Sequence, residues 1–197
     1  MTTHTIACYF DGGTFHTSFN IPNADAVMNN QCRGTRTSGI YWAYQIRLED
    51  SKIIYAEDRG FMTVQQIATK WIGKFSGTNN EAEYIAFWNL LEKLQNDSYL
   101  KRLSRIRNPP IPLCLYGDSN LVLNQVFRKG GDTVLTIDNV PIKPNWKCKS
   151  ENLIPINRDC ISKALELSKE YIIVAQHTPR EHVYQSSVDK FGRDLVK

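Results

Sequence analysis

A mixed α/β sheet flanked by helices is the fold class this sequence predicts, and three observations carry it. Three strand-like runs follow one another before any helix, at 4–10, 39–48 and 52–61. Helical and strand-like runs then mix, with helices at 79–97, 119–128, 157–170 and 184–196 and strands at 111–116 and 171–175. Apolar content of 42% over 197 residues is enough to bury one sizeable core. Consecutive strands imply an antiparallel meander, and the strands that alternate with helices imply parallel additions. The expectation is a mixed five-stranded sheet in one domain spanning 1–197.

The elements follow in order. Residues 4–10 alternate weakly and read as a strand. Gly39-Ile40-Tyr41-Trp42-Ala43-Tyr44-Gln45-Ile46-Arg47-Leu48 and the run 52–61 are joined by the turn Glu49-Asp50-Ser51. The helix at 79–97 carries Tyr84, Ala86, Phe87, Leu90, Leu91 and Leu94 on one broad apolar arc. Asn108-Pro109-Pro110 breaks the chain before the short strand 111–116. Asp118-Ser119 signals the start of the next helix and Gly130-Gly131 its stop. Residues 132–150 are polar and bear prolines, and read as a hairpin or an extended loop. In the final helix Tyr184, Val188, Phe191 and Leu195 form the packing stripe.

Charge and cysteines bound the function classes. Residues 99–149 hold nine Lys/Arg against three Asp, whereas 1–58 hold four Lys/Arg against six acids. A regional excess of this kind suits a polyanion, although charge alone favours a solvated face. Cys8, Cys32, Cys114, Cys148 and Cys160 include no C-x-x-C pair. That argues for reduced thiols in a cytosolic compartment, or a nuclear one in a eukaryote, rather than a disulfide framework or a zinc site. No apolar run approaches the ~18 residues of a membrane span, and the first residues lack a signal-peptide pattern.

Four carboxylates stand out. Asp11 ends an apolar run before Gly12-Gly13, and Asp118 ends another. Ligands of α/β sheets gather at strand carboxyl ends, so these two meet if their strands are parallel neighbours. Position alone also allows a turn residue for Asp11 and a helix N-cap for Asp118. Glu83 falls inside the apolar arc of its helix and Glu81 opposite it, so Glu81 reads as solvated and Glu83 as aimed at the sheet. A buried carboxylate needs a metal or a pKa shift, unless it is an ordinary acid at a helix N-terminus. Asp189 flanks the stripe of the last helix, while Asp194 reads as a surface acid.

Four sequence words, in this order, resemble the type I ribonuclease H family. They are Cys32-Arg33-Gly34, Thr78-Asn79-Asn80-Glu81-Ala82-Glu83-Tyr84, Gly117-Asp118-Ser119-Asn120-Leu121-Val122, and Trp146-Lys147-Cys148-Lys149-Ser150-Glu151-Asn152-Leu153-Ile154-Pro155. The last resembles a subgroup without the long basic protrusion. The resemblance spans nearly the whole chain and implies the ribonuclease H fold and hydrolysis of the RNA strand of RNA–DNA hybrids. It implies Asp11, Glu83, Asp118 and Asp189 as ligands of two Mg²⁺ ions about 3.5–4 Å apart, with Mn²⁺ as a substitute. His177 would move protons during turnover from a mobile loop. Arg33, Gly34, Thr78, Asn79, Asn80 and Asn120 would contact the hybrid, with helix capping as a rival role for Thr78 or Asn79. Products would carry 5′-phosphate and 3′-hydroxyl ends.

The chain departs from the family in five places. Residues 14–31 form an insertion after the first strand, apolar enough through Phe15, Phe19, Ile21 and Val27 to cover the site or bind a protein partner. Thr35 stands where Asn is usual. His177 and Asp189 are twelve apart, two more than is common. Gln185 replaces an Asn four before the aspartate. The segment 128–150 takes the place of the basic protrusion. A monomer is expected. The competing readings are a junction resolvase or exonuclease, which the sequence words oppose, and a non-catalytic binding or scaffold module. The mark of a scaffold would be a lost carboxylate, and none is missing.

Overall fold

A computed structural model describes residues 5–15, 39–48, 53–71, 77–106, 110–127, 133–135 and 153–196. The meander is there: β1 (Ile6–Phe15), β2 (Gly39–Leu48) and β3 (Ile53–Thr63) pair antiparallel in sequence. Helices α1 (Val64–Trp71), α2 (Asn79–Asn96) and α3 (Ser98–Ile106) follow, then β4 (Leu113–Gly117), α4 (Asn120–Val126), β5 (Thr133–Leu135), α5 (Ile154–Ser168), β6 (Ile173–His177) and α6 (Val183–Arg193). The five expected strands form the mixed sheet, and the three-residue β5 adds to its edge, antiparallel to β6. The order is β3-β2-β1-β4-β6-β5, with β4 parallel to both β1 and β6.

Apolar pattern explains the layering. Strand residues alternate between faces. Ile6, Cys8 and Phe10 enter the larger core with side chains from α1 to α5. Ala7 and Tyr9 point the other way, to a smaller cluster with Val188, Tyr184 and Phe191 of α6. All six apolar residues of the α2 arc are fully buried. Burial at ~25 cal/mol per Å² of apolar surface makes this helix the main fastening of its face.

Several expectations need correction. β1 does not stop at residue 10 but runs to Phe15, so Gly12 and Gly13 are strand residues, not a turn. The insertion expected over 14–31 therefore begins with two strand residues, and 16–31 lie outside the described residues. Helices α1 and α3 add to the expected elements: Val64, Ile67, Ala68 and Trp71 form a stripe at helical spacing on α1, and Leu100 and Leu103 face the core from α3. β6 starts and ends two residues later than expected, which makes His177 a strand residue. Leu195 lies beyond α6 and is 37% exposed, so the packing stripe ends at Phe191.

Candidate metal centre and active site

The β1–β4 parallel ladder ends at Tyr9↔Tyr116, and one further pair of residues leads to Asp11 and Asp118. Register alone thus brings these two acids to one level of the sheet. Asp11 is within β1, opposite Ala43 of β2, but beyond the end of its parallel neighbour. Strand alternation turns its side chain toward α6, as with Ala7 and Tyr9.

Glu83 arrives from the helix layer. The backbones of β1 and α2 touch at Gly12: a Cβ there would collide with the Ala82 carbonyl and come within 2.9 Å of the Glu83 nitrogen. Only glycine permits that approach, and the approach delivers Glu83 to Asp11. The entry to α2 is built with equal care. Gly77 has φ 67°, a left-handed conformation suited to glycine. Thr78 is the N-cap: its Oγ1 accepts from the Glu81 nitrogen at 3.3 Å, and Glu81 Oε2 accepts from the Thr78 nitrogen at 2.7 Å. Glu81 is therefore buried by a capping box, not solvated as its helical angle suggests. Asn79 Oδ1 accepts from the Thr14 nitrogen at 3.2 Å and its hydroxyl at 3.0 Å, tying the helix start to the end of β1. Asn80, and Asn120 at the start of α4, are exposed. Arg33 and Gly34 lie outside the described residues.

One carboxylate oxygen from each of Asp11, Glu83 and Asp118 lies within 4.8 Å of the others. Asp11 Oδ1 and Oδ2, Glu83 Oε2 and Asp118 Oδ1 are buried with no hydrogen-bond donor. Burial, then the charges of the neighbouring acids, pushes Asp11 up to about 8. The same causes hold Glu83 well above the usual carboxylate range. Asp118 does not cap α4; Ser119 does, accepting from the Val122 nitrogen at 3.4 Å, which leaves Asp118 free for the cluster. Its Oδ2 accepts from Arg180 Nε at 3.1 Å. Asp189, on α6, is near enough to Asp11 to raise its pKa but is not in the three-acid group. Its oxygens accept from Tyr41 at 3.3 Å and from Arg193. Gln185, one turn earlier and buried, donates to the Phe10 carbonyl at 2.8 Å and so pins α6 against β1 beside Asp11.

His177 ends β6 opposite Gly117, rather than starting a loop, and its Nε2 is 3.2 Å from the Asp118 carbonyl oxygen. Sequence reasoning brought the four acids and His177 to one end of the sheet, but it missed Arg180, Tyr41 and Arg193. Arg180 stands three residues after His177, yet nothing in its spacing marks it as a partner for Asp118. Tyr41 sits in a strand rich in aromatics, where no single ring stands out.

The donor set suits a hard divalent cation. Anionic oxygens without donors, gathered from three elements, repel one another unless positive charge joins them; all-oxygen sites of this kind favour Mg²⁺ or Mn²⁺. Among the described residues, no helix is long and apolar enough to cross a membrane, and Cys8, Cys114 and Cys160 are free and buried.

No protein-family model and no curated protein matches the sequence. Solved structures do. The N-terminal RNase H domain of rv2228c from Mycobacterium tuberculosis, solved as a fusion with maltose-binding protein, aligns with TM-score 0.51 and 14% identity over 96% of this chain and 93% of that one. LC9-RNase H1, described as a type 1 RNase H with the type 2 active-site motif, aligns with TM-score 0.52 and 10% identity over 99% of this chain and 73% of that one. The foamy viral protease–reverse transcriptase, solved with an RNA/DNA hybrid, aligns with TM-score 0.52 and 15% identity over 98% of this chain, which spans 20% of the viral protein. At these identities the likeness is one of architecture, and by architecture this chain has the ribonuclease H fold that its sequence words resemble.

Proposed function

We propose that this chain is a divalent-metal-dependent endoribonuclease that hydrolyses the RNA strand of RNA–DNA hybrids, leaving 5′-phosphate and 3′-hydroxyl ends. The observation that carries the reading is the meeting of Asp11, Glu83 and Asp118 within 4.8 Å, with four buried oxygens that no donor satisfies. Without a cation these acids must repel one another or take up protons, so their meeting at one point supports use as a metal site.

Asp11, Glu83 and Asp118 would hold the metal, with Asp189 as the fourth ligand. Bound there, two divalent ions supply an activated water and charge that offsets the departing 3′-oxygen. His177 is within reach of the same end of the sheet and would carry a proton between the site and solvent. Arg180 has a side chain 62% exposed while bonded to Asp118, so its guanidinium can meet a phosphate oxygen without leaving the site. Asn79, Asn80 and Asn120 stand at the starts of α2 and α4, and with Arg33 and Gly34 they would read the minor groove, where the 2′-hydroxyl separates RNA from DNA; Thr78 and Asn79 would reach the DNA strand.

The test is cleavage of an end-labelled RNA–DNA hybrid with Mg²⁺, beside single-stranded and double-stranded RNA and an Asp118→Asn control. Cutting of the hybrid's RNA alone, abolished by the substitution, is the expected result. Folded protein that cuts nothing with Mg²⁺ or Mn²⁺ would move the chain to the class of non-catalytic nucleic-acid-binding modules.

A further inference from the structure

Tyr41 lies outside every sequence word quoted above, yet it is built into the candidate site from three sides. It stands on β2 and is 7% exposed. Its hydroxyl donates to Asp189 Oδ1 at 3.3 Å, across 148 positions of sequence. A Cβ on Gly13, two residues after Asp11, would strike the phenol oxygen and the ring carbon that bears it. A Cβ on Gly192, three residues after Asp189, would come within 2.9 Å of ring atom Cδ2. The ring thus occupies space that side chains on β1 and α6 would otherwise take. Strand, ring and helix are keyed to one another at the level of the acids.

The other Asp189 oxygen accepts from Arg193 one turn later, but the arginine side chain is 55% exposed and water screens that pair. The phenol, buried and fitted against Gly13 and Gly192, is fixed in place where the arginine is not. Repulsion from Asp11, Glu83 and Asp118 favours rotamers that carry Asp189 away from them, and a fixed donor on one oxygen opposes that rotation. We propose that Tyr41 is a positioning residue for the metal site: it holds the Asp189 carboxylate beside the three-acid cluster, so that a divalent cation finds its fourth oxygen ligand already oriented. Residues that orient a metal ligand commonly govern affinity by about tenfold or more. The inference rests on the reading of the cluster as a metal site, and the experiment separates the two.

Mn²⁺ binding is measured by titration calorimetry on the wild-type chain, Tyr41→Phe, Asp189→Asn and the double variant. Thermal unfolding in chelator accompanies each titration. Phenylalanine keeps the ring and removes only the donor, so Tyr41→Phe is expected to unfold within about 3 °C of wild type and to bind Mn²⁺ about tenfold more weakly. The double variant is expected to bind no more weakly than Asp189→Asn, because Tyr41 acts through that carboxylate. Wild-type affinity in Tyr41→Phe overturns the inference and leaves the metal site standing, as does a double variant in which the two losses add. A folded wild-type chain that binds no Mn²⁺ overturns the metal reading and this inference with it.

Discussion

At the scale of single residues, the cluster makes two opposed demands on Asp11. Without metal its carboxyl is held near 8 by burial and by the Asp118 charge, against 3.8 for the free side chain. A carboxyl whose folded pKa is raised binds a proton on folding, so its contribution is fully present below about pH 4 and is lost as pH rises through about 8. The metal-free protein is therefore expected to lose stability from pH 4 to pH 8, and divalent cation to restore it. Asp11→Asn is expected to flatten that profile and to raise the chelated Tm at pH 8 by about 4 °C or more. Thermal melts across pH in chelator check this; a steeper loss in the variant would contradict it. Arg180 makes a different prediction. The Arg180 side chain is 62% exposed but that of its partner Asp118 only 13%, so Arg180→Ala is expected to lower Tm by about 5 °C at most while it slows hybrid cleavage about tenfold. Paired melts and initial rates separate the two effects. The same scale shows where sequence reading failed. Glu81 and Glu83 were separated by helical angle alone, yet both are buried, because a capping box turns the Glu81 side chain back onto Thr78.

At the scale of elements, the contact between β1 and α2 decides whether a site exists. Gly12→Ala places a methyl against the Ala82 carbonyl and forces the helix from the strand. Overpacking of this kind costs about 1–3 kcal/mol and moves Glu83 with it, so the variant is expected to lose both stability and metal binding. Thr78→Ala removes the cap while leaving the helix packed. The expected loss is about 1 kcal/mol, or about 2–4 °C in Tm, with metal affinity retained. Denaturant unfolding and metal titration of both variants distinguish a misplaced helix from a frayed one. The strands and the long helices were legible because period-2 and period-3.6 patterns survive in them. α1 and α3, of eight and nine residues, were not, because an apolar pattern that short does not tell a helix from other local structure.

At the scale of the whole molecule, a cation that joins acids from β1, α2 and β4 ties the sheet to its helix layer, so binding should stabilise the fold as a unit. At a hundred times its Kd, Mg²⁺ is expected to add about 2.7 kcal/mol, seen as a rise in Tm that Asp11→Asn abolishes. A Tm indifferent to Mg²⁺ in wild type would contradict the metal reading. The sequence by itself determined which acids carry apolar strands or an apolar helical arc behind them, since hydrophobic period sets direction, and it determined the order of elements that resembles a ribonuclease H. What only the tertiary structure decided were the distances: the register that ends the β1–β4 ladder just before Asp11 and Asp118, and the glycine contact that delivers Glu83. It also decided the partners, Arg180 for Asp118 and Tyr41 for Asp189. The reason is physical. Periodicity is a local property of the chain, whereas a contact between residues 148 positions apart depends on how every intervening element packs.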